Sequence, residues 1–88
     1  MPEISRFFGI VIALYWKEHG IPHFHAKYGG YRASFSIEEL RLLEGKLPPC
    51  VMALIVEWTA IHRDELMEVW RLAVAGKPLN PIKPLDQE

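Results

Sequence analysis

The sequence predicts an α+β domain in which an antiparallel β-meander of three to four strands packs on one long or two consecutive C-terminal helices. Two observations support this class. In the first half of the 88-residue chain, runs rich in β-branched and aromatic residues are separated by turn signals such as Gly29-Gly30. From Pro48-Pro49 to Ala75, apolar residues instead recur at helical spacing.

The first element is predicted to be a single strand over residues 6–16. Both alternating sets of side chains in this run are apolar, which is typical of a strand covered on two faces. Gly9 is expected to mark a bulge or a close approach of another chain segment. The bulkier set, expected to face the main core, comprises Phe8, Ile10, Ile12, Leu14 and Trp16.

Residues 23–28 and 31–37 are predicted to form a hairpin around Gly29-Gly30. Two glycines allow positive φ at both loop positions, as a type I′ turn requires, and a two-residue loop fixes the register. The apolar face then carries Phe24, Ala26, Tyr28, Tyr31, Ala33 and Phe35. The opposite side, which we call the hairpin polar face, carries His23, His25, Lys27, Arg32, Ser34 and Ser36.

The rest of the domain is predicted to be a turn, a short strand and the helical region. Ser36-Ile37-Glu38-Glu39 fits a capping box, but a turn followed by a short strand is the preferred interpretation of residues 37–47. A straight helix over residues 49–75 would be about 40 Å long, so a bend near residues 59–64 is expected. The domain is assigned to residues 1–76. A proline-rich tail, residues 77–88, either straps the protein's own surface or binds a partner.

Composition restricts the classes of function. A single cysteine excludes an intrachain disulfide, and the chain shows neither a signal peptide nor an apolar run long enough to span a bilayer. A soluble, cytoplasmic protein without a membrane partner is therefore expected. The net charge of −1 argues against a general nucleic-acid coat, although residues 17–32 are locally basic.

Three of the four histidines, His19, His23 and His25, lie within seven residues. His23 and His25 are two apart and point the same way on a strand. Imidazoles beside cations suit general acid–base cleavage of RNA, in which one takes a proton and the other returns one. His23 and His25 are therefore the candidate catalytic residues, and this chemistry needs no metal and no cofactor.

The predicted register also places Lys27 directly opposite Arg32, an unfavourable arrangement of like charges. A bound phosphate, or a carboxylate from a partner, would remove the conflict. Lys27, Arg32, Ser34 and His19 are the candidate anion-binding residues. An ordinary solvated sheet face remains the alternative.

A metal site is a further alternative, in which His23, His25 and His19 supply three ligands to zinc or nickel. The nearby Lys27 and Arg32 would repel a cation, so no metal site is assigned. The fourth histidine, His62, follows the apolar stripe of the helical region and is expected to lie apart from the other three, with its own hydrogen-bond partner.

Four segments of the chain form a distinctive pattern: residues 4–12, residues 22–31 (Pro-His-Phe-His-Ala-Lys-Tyr-Gly-Gly-Tyr), residues 43–48 and residues 57–66. Together they resemble the bacterial domain of unknown function family 4160. The resemblance covers nearly the whole chain. It implies a small cytoplasmic protein encoded beside a second small, antitoxin-like protein, and it supplies no catalytic residues.

The resemblance and the hairpin polar face together predict a toxin-like component of a bacterial toxin–antitoxin-type pair that acts on RNA or an anionic partner. Metal-independent ribonuclease activity and non-enzymatic protein interaction both remain open, with a small metal-binding protein as a third interpretation. The expected partners are the small protein encoded nearby and RNA, and a homodimer is compatible with the sequence.

Overall fold

The computed structural model describes residues 2–85 and confirms the α+β class. Five antiparallel strands, one or two more than expected, form a sheet in chain order, and two helices follow. The strands are β1 (Glu3–Phe7), β2 (Ile10–Ala13), β3 (His23–Tyr28), β4 (Tyr31–Ser36) and β5 (Leu42–Gly45). The helices are α1 (Pro49–Ile61) and α2 (Arg63–Val74).

The predicted single strand over residues 6–16 is wrong, because the chain reverses at Phe8-Gly9 and forms the β1–β2 hairpin. Phe8 and Gly9 both have positive φ, 51° and 78°, as a two-residue hairpin turn allows. The reversal buries Phe7 and exposes Phe8, the opposite of the expected pattern. Trp16, also expected in the core, is 50% exposed. The core positions that are confirmed in this run are Ile10, Ile12 and Leu14.

The β3–β4 hairpin has the predicted register, with Lys27 opposite Arg32 and every other pair as expected. Its apolar face is buried where it meets the helices, at Phe24, Ala26, Ala33 and Phe35. The predicted type I′ turn is wrong. That turn requires a positive φ at both glycines, and only Gly29 has one, at 55°. The register therefore follows from the loop length and the alternating pattern rather than from that turn type.

The segment after β4 is a turn and a short strand, the preferred of the two interpretations. The Ser36 hydroxyl accepts a hydrogen bond from the Glu39 backbone N–H at 3.0 Å, as in half of a capping box, but a turn forms there instead of a helix. Ser36 is fully buried as a result and does not contribute to the exposed part of the hairpin polar face.

The helical region is divided into two helices at His62, whose φ and ψ are −110° and 23°, within the stretch where a bend was expected. Trp58 of α1 is fully buried between the rings of Phe7 and Phe24, with centroids 5.3 and 5.9 Å away. These contacts pack α1 on the apolar face of the sheet. Within residues 2–85, no helix has the length and apolar character needed to cross a membrane.

The tail packs on the protein's own surface over residues 77–85, while residues 86–88 of the predicted tail lie outside the described residues. Ile82 is buried, and its backbone N–H donates to the Ile4 carbonyl at 2.8 Å. The indole N–H of Trp58 donates to the Lys83 carbonyl at 3.0 Å. Residues 77–85 thus act as a strap, one of the two alternatives that the sequence left open.

Candidate functional site

Strand β3 presents His23 and His25 on the same side of the sheet, because alternate residues of a strand share a face. The ring of His23 packs against Trp70 of α2, with centroids 5.1 Å apart. The ring of His25 meets Tyr15 edge-on at 4.5 Å. Both imidazoles are therefore held by aromatic neighbours from other parts of the chain.

The loop between β2 and β3 brings Glu18 to these histidines. The Lys17 backbone N–H donates to the Ala73 carbonyl at 2.8 Å, and the Trp16 indole N–H donates to the Lys77 carbonyl at 2.9 Å. Lys17 has a positive φ of 60°, so the chain turns sharply at this point. The two hydrogen bonds fix the loop to the end of α2, immediately before Glu18.

Glu18, His23 and His25 form a compact group, which we call the Glu-His-His cluster. The carboxylate oxygens of Glu18 lie 2.8 Å from His25 Nε2 and 3.5 Å from His23 Nε2. One ligand-type atom from each of the three residues lies within 4.8 Å of the other two. Their side chains are only 23%, 14% and 25% exposed. Such a group can hold a proton or a divalent cation.

A cavity of about 310 Å³ adjoins this cluster on the hairpin polar face. Lys27 and Arg32 line it as a cross-strand pair, and within residues 2–85 neither side chain forms an ion pair. The other lining residues are Tyr15, His25, Ala26, Ala33, Ser34, Glu44 and Gly45. The structure thus brings together the predicted catalytic residue His25 and three of the four predicted anion-binding residues.

His19, the fourth predicted anion-binding residue, lies elsewhere. It lines a second cavity of about 280 Å³ with His23, Ser34 and Glu44. In the described part of the chain it does not belong to the Glu-His-His cluster, where Glu18 takes the place that the metal interpretation gave to His19.

His62 is separate from the other histidines, as expected. Its ring packs on Trp58 with centroids 5.6 Å apart, and its Nδ1 lies 2.7 Å from a carboxylate oxygen of Glu65. His62 therefore has the predicted hydrogen-bond partner, and it contacts one residue of each helix.

The sequence reasoning missed Glu18 as a partner of His23 and His25. Its only signal in the sequence is a carboxylate close to the histidines, and spacing alone does not show that the intervening loop folds back onto β3. The position of Glu18 depends on backbone bonds from Lys17 to Ala73, which lies far along the chain.

The fold and site define a small α+β protein with a half-buried histidine–carboxylate cluster beside a cavity lined by two cations. Comparison with family models shows that the chain belongs to the family described as Domain of unknown function (DUF4160), whose model matches residues 9–71. The matched region contains the Glu-His-His cluster, the β3–β4 hairpin and most of both helices. No curated protein and no solved structure shows significant similarity to the chain.

Proposed function

We propose that the protein binds RNA through the cavity on the hairpin polar face, as the toxin-like component of a bacterial toxin–antitoxin-type pair acting in the cytoplasm. The observation that carries the RNA proposal is the Lys27–Arg32 pair. These two cations face each other across β3 and β4 and line one cavity. The proposed link to a second, antitoxin-like protein is based on the family resemblance.

The charge arrangement favours an anionic ligand. Like charges directly opposite each other on two strands destabilise the pair, and a bound phosphate between them would offset that cost. Arg32 offers the forked donor geometry that suits phosphate oxygens, whereas Lys27 contributes a compact charge. The hydroxyl of Ser34 lines the same cavity and supplies a further donor.

Tyr15 favours RNA over a simple inorganic anion. Its ring lines the cavity and is 39% exposed, so one face can receive a base while the cations contact the backbone. Aromatic platforms combined with cationic grooves are the usual means of binding single-stranded nucleic acid. A cavity of about 310 Å³ accommodates a nucleotide-sized group rather than a duplex.

RNA cleavage by His23 and His25 is a separate prediction. The Nε2 atoms of both rings face the Glu18 carboxylate. Either ring would have to exchange that partner before it could transfer a proton to or from RNA at this atom. The proposal for the cavity is therefore binding, and cleavage would be an additional activity.

Fluorescence anisotropy with a labelled single-stranded RNA tests the proposal. We expect Lys27→Gln and Arg32→Gln each to weaken binding about tenfold, because each removes a charged hydrogen bond to phosphate. Arg41→Gln is the matched control, since Arg41 pairs with Glu39 and does not line the cavity. The proposal would be refuted if the wild type and the three variants bound the RNA with equal affinity, or if the wild type did not bind it.

Docking of a protein partner is a second candidate function, favoured by exposed apolar side chains beside the site. Trp16 and Ile21, in the loop that carries Glu18, are 50% and 49% exposed. The test is co-purification with the co-expressed product of the neighbouring gene. Docking through this loop predicts that Ile21→Ser abolishes the complex while Lys27→Gln preserves it. A complex that survives Ile21→Ser would exclude this docking surface.

A further inference from the structure

We propose that Glu18, His23 and His25 bind a divalent transition-metal ion of the Zn²⁺ class, through a carboxylate oxygen and the Nε2 atoms of both imidazoles. This site is distinct from the Lys27–Arg32 pair. Metal binding here goes beyond RNA binding and does not depend on it. Three steps support it: the direction of each imidazole, the spacing of the three groups, and their chemical type.

The backbone fixes the orientation of His23. Its Nδ1 lies 2.8 Å from the Ile21 carbonyl oxygen, which can only accept a hydrogen bond, so Nδ1 carries a proton. In the neutral ring Nε2 is then a bare lone pair, and it faces a Glu18 carboxylate oxygen at 3.5 Å. Two acceptors that face each other in a half-buried position are unfavourable, and a proton or a metal ion between them would remove that cost.

His25 also directs its Nε2 toward Glu18. Its Nε2 lies 2.8 Å from the other Glu18 oxygen, and its Nδ1 lies 3.5 Å from the Ser34 hydroxyl, a long contact. Both rings thus direct Nε2 inward to one carboxylate and Nδ1 outward to an oxygen. A backbone carbonyl on the outer nitrogen, as at His23, is a usual support of metal-ligating histidines, because it fixes the tautomer and the ring direction.

The spacing fits a small cation. A tetrahedral Zn²⁺ with bonds of about 2.0–2.2 Å places its ligand atoms about 3.4 Å apart. One Glu18 oxygen lies 2.8 Å from His25 Nε2 and the other lies 3.5 Å from His23 Nε2, on either side of that value. The three ligand atoms lie within 4.8 Å of one another, so small side-chain shifts would bring them into this geometry.

The type of ligand selects the metal class. Two imidazole nitrogens and one carboxylate suit zinc and its first-row neighbours, whereas magnesium and calcium prefer oxygen ligands alone. In the sequence, the expected repulsion of a cation by Lys27 and Arg32 argues against a metal site. Glu18 changes this balance, because it places a negative charge in contact with both imidazoles. The cavities lined by His25 and His23 leave room for water or another ligand to complete the coordination.

Calorimetric titration of Zn²⁺ into untagged full-length protein, prepared without a metal-affinity resin and treated with a chelator, tests the site. We expect binding of one equivalent. Glu18→Gln, His23→Gln and His25→Gln should each weaken it by more than about tenfold, since loss of an outer-shell partner alone costs about ten- to a hundredfold.

A matched control keeps that titration specific. His62→Gln should leave Zn²⁺ affinity unchanged, although His62 also contacts the carboxylate of Glu65, because within residues 2–85 these two groups belong to no three-ligand cluster. If no Zn²⁺ binds, or if the three cluster variants bind as tightly as the wild type, the site does not exist.

A measurement on the wild type avoids variants that fail to fold. In ¹⁵N-resolved NMR of the imidazole groups, Zn²⁺ should shift the Nε2 signals of His23 and His25 and leave those of His62 in place. Shifts confined to His19 or His62 would overturn the proposal. Arg32→Gln should retain Zn²⁺ binding even if it loses RNA binding, so the two proposals fail independently.

Discussion

At the residue scale, Gly45 supports the cavity through its backbone. Its φ is 88°, in the region that favours glycine. A Cβ atom at this position would lie 2.2 Å from the Arg32 carbonyl oxygen and 2.7 Å from the Ala33 Cα. Strand β5 can therefore approach β4 here only because residue 45 has no side chain, and a Cβ would force the backbone at Arg32 and Ala33 or at residue 45 itself to move.

We expect Gly45→Ala to lower the free energy of unfolding by about 2–3 kcal/mol, through strained φ and a backbone clash. Urea unfolding followed by tryptophan fluorescence measures this change. Gly30→Ala is the matched control, because a Cβ there meets nothing within 4 Å, and it should change stability by no more than about 0.5 kcal/mol. Equal stability of the two variants would contradict the steric argument.

The residues of the site differ in how far the sequence predicts them. His23 and His25 share a face because strand side chains alternate with a period of two, and this follows from spacing alone. Lys27 opposite Arg32 follows from a two-residue loop. Glu18 does not follow from any local rule, because its position depends on the contact of Lys17 with the end of α2.

At the scale of elements, the β1–β2 and β3–β4 hairpins differ in how clearly the sequence indicates the turn. Gly29-Gly30 lies between alternating runs, so the position of the turn and the register could be predicted, although the type I′ geometry is not found. Phe8-Gly9 lies inside a continuously apolar run, and phenylalanine is not a usual turn residue. The local signal between β1 and β2 is Gly9, but an isolated glycine in a strand pattern indicates a bulge as readily as a turn. The contacts that support the turn are tertiary, because both strands bury apolar side chains in the same core.

The strap is a second element whose role requires tertiary contacts. We expect Ile82→Ala to lower the free energy of unfolding by about 2–4 kcal/mol, because it leaves a cavity where a buried side chain was. Thermal or urea unfolding provides the measurement. Ile61→Ala is the control with the same chemical change at a side chain that is 61% exposed, and its effect should stay within about 0.5 kcal/mol. If the strap contributed nothing to stability, Ile82→Ala and Ile61→Ala would have the same free energy of unfolding.

At the scale of the whole molecule, positive charge is concentrated at one site although the net charge is slightly negative. The net charge is −1, so the protein as a whole does not attract nucleic acid. Lys27 and Arg32 form a small cationic patch on this background. Binding to RNA by this molecule should therefore involve few phosphates and depend on salt less steeply than binding by a basic protein.

Growth after induced expression in a bacterial host tests the proposed toxin-like role. We expect expression to arrest growth, and co-expression of the neighbouring gene to restore it. The double variant Lys27→Gln/Arg32→Gln should lose toxicity, because it removes the cations that we propose to contact RNA, while Arg41→Gln should remain toxic. Normal growth with the wild type alone, or full toxicity of the double variant, would contradict the proposed role.

The path of the strap has a consequence for association between molecules. Strand β1 lies at one edge of the five-stranded sheet, where unpaired backbone groups could pair with the edge of another chain. The hydrogen bond from Ile82 to the Ile4 carbonyl occupies one of those groups, and the buried Ile82 side chain holds the strap beside the strand. The same segment that completes the core thus also occupies part of the edge along which another strand could pair.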